Sequence, residues 1–580
     1  MRTGKSILLS LVMVGTLLVS ACSSEPAAVE PSQGNGSQVS GQNQTGADAK
    51  TPVSAGLSEP VLASDLSKLP GSAKERTDTV IVGLTDPSGA FTPYFHQTGY
   101  DGNVSSLLYA SLVTVDDQGV PVPDLAEKWE VSEDQLTYTF HLREDVKFSD
   151  GSPLTTEDVA FTWTLLHDKA YDGGTDLTSI GVKGGQDYKA GKAESISGIQ
   201  IKDPSTISVT LEKPNATALL TLGSDILSKA YYGKDYKFGE LEYIKNLHAT
   251  PVGSGPYKLD KFIPGQEVRF VANEHYYKGK PKLERFIYKT TEGDTWQFIE
   301  TGEQDYGSFQ ATQDNLDKLK GLGFLNLVPY TPSNYGFIQL NLEHEALKDK
   351  KVRQALTYGL DRQTIYVDSN QGAATLANIP TSPISWSYTE EGINPYEYNP
   401  EKAIALLEEA GWTVGADGIR EKDGNQLTIH FLGSKRQSTD IFIAVARENY
   451  AAIGVKFEPE QFADFNSLVA KVESGDYDFA AFSTPLLTDP ADGVVAFVNG
   501  EVKGYDNPKV KELYARGLET TDIEERKKIY HELYQVLNDD LPYIFTSYGK
   551  SVIAYNGRLE GFKVNPFRGI AASLPEWSLK

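Results

Sequence analysis

The sharpest local signal in the chain is the alternation of apolar and polar positions over residues 136–142. Leu136, Tyr138, Phe140 and Leu142 alternate with Thr137, Thr139 and His141, the period-two pattern of a strand with one buried face. Thr79-Val80-Ile81-Val82-Gly83 has the apolar run of a short buried strand. Helical spacing appears next. Ser149-Asp150-Gly151-Ser152-Pro153 supplies a turn, Thr155 and Asp158 stand three apart as in a capping box, and Val159, Trp163 and Leu166 follow on one face. A second helix has Asn399 as its cap and Pro400 in its first position. Ala403, Leu406, Leu407 and Ala410 form its apolar stripe, and Gly411 stops it. A third runs from about Asp349 through Val352, Ala355 and Leu356. Strands and helices alternate to the C-terminus with no fixed-period repeat, which makes the fold class α/β.

The first residues follow a different pattern. Arg2 and Lys5 precede an uncharged, mostly apolar run from Ser6 to Val19, short for a membrane span and right for the core of a secretory signal peptide over residues 1–21. The run ends in Val19-Ser20-Ala21-Cys22, and Cys22 is the single cysteine. Small residues before a cysteine resemble the lipobox of bacterial lipoproteins, which implies that Cys22 is lipidated and becomes the first mature residue. Residues 22–76 are rich in Ser, Gly, Pro, Ala, Gln and Asn, with no aromatic before Phe91. Such a stretch buries too little apolar area to offset its ordering entropy and reads as a flexible tether spanning about 40 Å. The folded part is then extracytoplasmic and held to the cell membrane by lipid.

Composition narrows the function. At 580 residues, with 31 Tyr and 24 Phe, the chain has material for more than one core. Acidic residues outnumber basic ones 79 to 54, a net charge of -25, and such a surface repels phosphate backbones, so nucleic acid is not a partner. The eight histidines, His96, His141, His167, His248, His275, His344, His430 and His531, are scattered singly. There is no G-x-S-x-G elbow, no Walker loop and no H-E-x-x-H. No catalytic residue, metal site or cofactor is predicted, and a secreted hydrolase is the disfavoured alternative.

A family resemblance lies on these same segments. Pro123-Asp124-Leu125-Ala126-Glu127-Lys128-Trp129, Leu136-Thr137-Tyr138-Thr139-Phe140, and Val146 to Thr155 with Glu157-Asp158-Val159 are similar to the signature of the oligopeptide- and dipeptide-binding proteins of ABC importers, the family 5 solute-binding lipoproteins. Gly253-Ser254-Gly255-Pro256-Tyr257, Gly279-Lys280-Pro281-Lys282-Leu283, Val352-Arg353-Gln354-Ala355-Leu356, Leu360-Asp361-Arg362, the helix after Asn399, and Gly561 to Phe567 follow in the family's order. The resemblance implies a two-lobe clamshell of the periplasmic-binding-protein type (class II, cluster C) with an extra subdomain. Lobe one would comprise residues 77–104, 236–329 and 546–580, the subdomain 105–235, and lobe two 330–545. It also implies a monomer that takes a peptide between its lobes and delivers it to ABC permease subunits, leaving the ligand's covalent bonds intact. A non-peptide ligand (a metal chelate, sugar or small metabolite) and a signal-peptide receptor stay open as alternatives.

The resemblance also nominates a site. His96, Gln97, Thr98 and Tyr100 match the lobe-one segment that meets the ligand, and Ser483, Thr484, Leu486, Leu487 and Asp489 match the lobe-two segment. Many peptide binders carry there a Trp and then an Asp that holds the peptide's ammonium group. Here the Trp position falls on Ser483 or Thr484 and the Asp position on Leu486 or Leu487, so a free N-terminus has no anchor at that spot. Pro485 also removes a backbone donor. Tyr335 and Trp386 are aromatic candidates for the crevice, and Arg436 is a candidate for a ligand carboxylate.

Overall fold

A computed structural model describes residues 59–580, except 97, 174, 176, 292–294 and 485–487. The signal peptide, Cys22 and the tether as far as residue 58 lie outside the described residues, as do Gln97, Leu486 and Leu487. Among the described residues no helix is long and apolar enough to cross a membrane.

The local patterns become elements for the reasons that make them legible. The strand Thr137–Leu142 turns Tyr138, Phe140 and Leu142 inward and leaves Thr137, Thr139 and His141 half-exposed. In the helix Thr156–Leu166 the capping box is formed in both directions, Thr155 accepting from the backbone and Asp158 reaching back to the Thr155 N–H (2.8 Å). Its inner face buries Val159, Trp163 and Leu166, and the Trp163 indole donates to the Leu222 carbonyl (2.9 Å). Asn399 caps the helix Pro400–Glu409 through the Lys402 N–H, and Gly411 ends it with φ +85°. Only a residue without Cβ takes that left-handed conformation at little cost. Asp349 likewise caps the helix Lys350–Tyr358.

Two large sheets organise the molecule. The seven-stranded sheet runs in the order Leu325–Tyr330, Ser551–Asn556, Tyr306–Gln310, Thr79–Leu84, Arg285–Thr290, Glu267–Ala272, Tyr257–Ile263. The five-stranded sheet runs Lys456–Phe462, Thr428–Ser434, Phe479–Ser483, Gly336–Leu340, Tyr543–Phe545. A four-stranded antiparallel sheet, Ala126–Val131, Thr137–Leu142, Thr206–Thr210, Ile199–Asp203, shares one continuous core with the seven-stranded sheet. The five-stranded sheet has a core of its own, with Tyr335 at one end of the chain order and Tyr548 at the other. Separate cores make two lobes. The chain leaves the seven-stranded sheet after Tyr330, joins the other at Gly336, and returns between Phe545 and Ser551. A short ribbon, Ala374–Leu376 against Ser547–Gly549, braces the return.

Residues 59–76, assigned by composition to the flexible tether, form a strap packed on the first lobe. Val61 pairs with Leu327 on the edge of the seven-stranded sheet, and Leu69 and Ala73 are buried. Arg76 forms an ion pair with the buried Asp305 (2.7 Å). A free edge strand is a liability that a short paired segment removes, and a few apolar residues suffice because the sheet already supplies the partner surface.

Candidate functional site

The first-lobe wall is built around one buried carboxylate. Asp101 is fully buried and accepts from Ser88 Oγ (2.7 Å), the Gly89 N–H (2.9 Å) and Thr98 Oγ1 (2.6 Å). Thr98 is at the same time the cap of the helix Gly99–Leu108, so the start of that helix is tied to the buried carboxylate. Behind it, Gly253 and Gly255 let the turn before Tyr257 press on the backbone at Leu108, where a Cβ on Gly255 would stand 2.5 Å from the Leu108 carbonyl carbon. Tyr100 is half-buried in the first turn of the helix. His96 is exposed, yet burial lowers its pKa from 6.5, with Asp101 opposing the shift. His248 lies behind it with its Nδ1 on Thr92 Oγ1 (2.8 Å), and burial again lowers its pKa.

The second-lobe wall stands at one end of the five-stranded sheet. Thr428–Ser434 and Phe479–Ser483 run parallel, and Gly336 sits opposite Ser483. Both parallel strands therefore end, and the chain from the first lobe arrives, at the same edge, the customary place for a ligand in α/β sheets. Ser483 is exposed there, and Thr484 clasps the arriving chain by donating its N–H to the Tyr335 carbonyl (3.0 Å) and accepting from the Tyr335 N–H (3.2 Å). Arg436 is exposed just past Ser434, at the start of the helix Gln437–Ala452.

Three candidates have other duties. The Tyr335 ring is buried in the lobe-two core against Phe337 and Phe545, with its hydroxyl donating to the Gly493 carbonyl (3.3 Å), so it offers no surface to the crevice. An aromatic beside a lobe junction fits either role in sequence; the apolar neighbours of the strand Gly336–Leu340 decide it. Asp489 is buried and bidentate with Arg526 (2.8 and 2.7 Å), while capping the helix Pro490–Val494. Burial opposes the Arg526 charge, but Asp489 outweighs it and the pKa is raised. The carboxylate is thus already neutralised. Trp386 stacks over the Arg526 guanidinium (5.2 Å) and meets Tyr530 edge-on.

Asp492 is a residue the sequence reading missed. It reciprocates the cap by accepting from the Asp489 N–H (3.2 Å), and it is exposed. Partial desolvation of the carboxyl beside the cap, then the Asp489 charge, pushes it up to about 6. The spacing Asp-x-x-Asp around Pro490 is a capping box with a carboxylate at both ends, and that was the available signal.

The second lobe touches the rest of the molecule near Thr488. Gly119, with φ +82°, lies where a Cβ would stand 3.2 Å from the Thr488 carbonyl and 3.1 Å from the Phe567 ring. The four-stranded-sheet subdomain also bonds the second lobe directly, Ala216 N–H to the Leu518 carbonyl (2.7 Å) and Thr521 N–H to Gln135 Oε1 (2.9 Å).

Residues 120–505 match the family model of bacterial extracellular solute-binding proteins, family 5 Middle. The chain is 28% identical over 528 residues to the oligopeptide-binding protein AppA of Bacillus subtilis, covering 89% of this chain and 94% of that one. It is 30% identical over 509 residues to the heme-binding protein A of Haemophilus influenzae, covering 82% and 88%. The structure of AppA from Bacillus subtilis in complex with a nonapeptide superposes with a TM-score of 0.70 at 26% identity, over 87% of this chain and 99% of that chain. With the two lobes, the edge where their segments meet and these likenesses in hand, the chain belongs to the bacterial extracellular solute-binding proteins of family 5.

Proposed function

We propose that this protein is the membrane-tethered binding component of an ABC importer, taking a peptide between its lobes and handing it intact to the permease. The observation that carries the reading is the pair of lobes with separate cores, joined where both parallel strands of the second lobe end and the chain from the first lobe arrives; His96, Thr98 and Tyr100 would face Ser483, Thr484 and Asp492 across the crevice between them. The likeness to AppA along nearly its whole length supports a peptide as the occupant. A ligand enclosed by both lobes is desolvated as they close, and closure is favoured by whatever contacts the closed form adds. No step in this cycle forms or breaks a covalent bond in the ligand.

The boundaries proposed from the resemblance go with this reading: lobe one 77–104, 236–329 and 546–580, the subdomain 105–235, and lobe two 330–545. Signal peptide cleavage before Cys22, lipidation of Cys22 and a monomeric working form complete it. With Asp489 committed to Arg526, a peptide's ammonium group does not find its counter-charge there. Asp492 is the carboxylate left within the wall.

Native mass spectrometry of the purified protein, incubated with a pool of two- to nine-residue peptides, tests the reading. Retention of peptides at unchanged mass is expected; shortened peptides would overturn the non-catalytic part. The likeness to heme-binding protein A favours a second reading, a chelate ligand. Retention of haemin or a nickel–histidine chelate with no peptide bound would establish it in place of the first. Cys22→Ala is expected to release the protein from membranes with peptide affinity unchanged, and loss of affinity would contradict an independent tether.

A further inference from the structure

The turn over residues 92–95 is built against its own sequence. The Phe95 N–H donates to the Thr92 carbonyl (3.3 Å), Pro93 holds the second position, and Tyr94 in the third has φ +73°. Proline second and positive φ third is the type II turn, whose third position belongs to glycine or asparagine. A buried tyrosine there is a steric outlier, and such outliers persist only where the surroundings over-determine them.

What over-determines Tyr94 is a clamp from the neighbouring subdomain. Its hydroxyl donates to the Asp225 backbone carbonyl and lies 3.0 Å from Ser224 Oγ. Its own carbonyl accepts from the Tyr171 hydroxyl (3.2 Å), and Gly173 has no side chain where a Cβ would overlap that carbonyl. Burial, aided by Asp225, raises the Tyr94 pKa well above 10, so the hydroxyl stays a donor. The same turn orients His248 through Thr92. Two residues past Tyr94 stands His96, and two further on Thr98 is tied to Asp101.

We propose that Tyr94 is a positioning residue: the strained turn, clamped by residues 171–173 and 224–225, sets where the His96 imidazole stands in the crevice and so fixes the first-lobe wall that the ligand meets. The role of that wall in binding rests on the function proposed above; the placement of His96 does not.

The two are therefore measured separately. Tyr94→Phe keeps the ring and the turn but loses the hydroxyl donor. Gly173→Ala pushes on the same clamp from the opposite side and serves as the second variant if the first fails to fold. The His96 ring signal, assigned with His96→Gln, is titrated by NMR in the ligand-free protein, and affinity for the two- to nine-residue peptide pool is measured in parallel. Both variants are expected to move the His96 titration back toward 6.5. Peptide affinity should fall roughly tenfold, mainly through faster release, the scale of one lost positioning hydrogen bond. A purely structural role would shift the thermal midpoint and leave the His96 titration where it is. An unchanged titration in both variants overturns the proposal. A shifted titration with unchanged affinity also overturns it, by separating His96 from the wall that binds. If the wild-type protein retains no peptide, the peptide reading fails, and the titration alone still decides whether Tyr94 places His96.

Discussion

The two walls of the crevice are held by opposite electrostatic means. On the first lobe, Asp101 is buried among hydrogen-bond donors that come from its own neighbourhood, Ser88, Gly89 and Thr98. His96 and His248 beside it are biased toward the neutral form by burial. On the second lobe, the order comes from a buried ion pair, Asp489 with Arg526, made between residues far apart in the chain. Next to it Asp492 is exposed and only partly committed to its charge. The contrast teaches that the first segment is ordered by hydrogen bonds gathered on one buried carboxylate, whereas the second couples a buried ion pair to a carboxyl group whose charge responds to its surroundings.

Breaking the second wall's scaffold should have the largest effect. Arg526→Met leaves Asp489 buried without its counter-charge, a change expected to cost about 3–5 kcal/mol. Thermal unfolding should show lobe two melting earlier, and adding Asp489→Leu should recover most of the loss. A single variant as stable as the wild type would mean that the pair does not organise this wall.

Closure is the next lever. Gly119 combines positive φ with a close approach to Thr488 and Phe567. Gly119→Ala should therefore weaken ligand retention by about 1 kcal/mol, and Gly119→Asn, which tolerates positive φ, should weaken it through the clash alone. Equal affinity in all three proteins would show that this junction does not take part in closing.

The smallest effect sharpens the comparison through pH. Burial, then Asp489, raises the Asp492 pKa from 3.8 to about 6, so the folded state favours the protonated form. The stabilisation tied to that proton is complete below the unfolded value and is lost as pH rises through about 6. Between about pH 4 and pH 7 the wild-type protein should lose thermal stability relative to Asp492→Asn. Parallel pH profiles would mean that the fold does not favour the protonated Asp492 carboxyl. The difference between the two proteins matters here, because Asp158, Asp225 and Asp478 are also raised by burial and contribute equally to both.

Much of the scaffold was legible because its signals are local. A capping box needs four residues, and Thr155 with Asp158 carries its helix wherever the rest of the chain goes. Alternation over Tyr138, Phe140 and Leu142 likewise states which face is inside. The site resisted because its decisive partners are distant. Nothing near Asp489 announces Arg526, and nothing near Tyr335 says that Phe545 will pack on its ring. Tyr94 reads as an ordinary aromatic until its φ is known. The strap over residues 59–76 was misjudged for a related reason: its Ser- and Lys-rich composition hides Val61, Leu69 and Ala73, which need only the edge of an existing sheet to become ordered.

In the function proposed, a hinged pair of lobes shuts on its ligand. Small-angle X-ray scattering of the protein with and without the retained peptide pool measures this directly. A smaller radius of gyration with peptide bound, reduced further in the wild type than in Gly119→Ala, is the result the account predicts. A radius that stays the same when peptide is bound would contradict it.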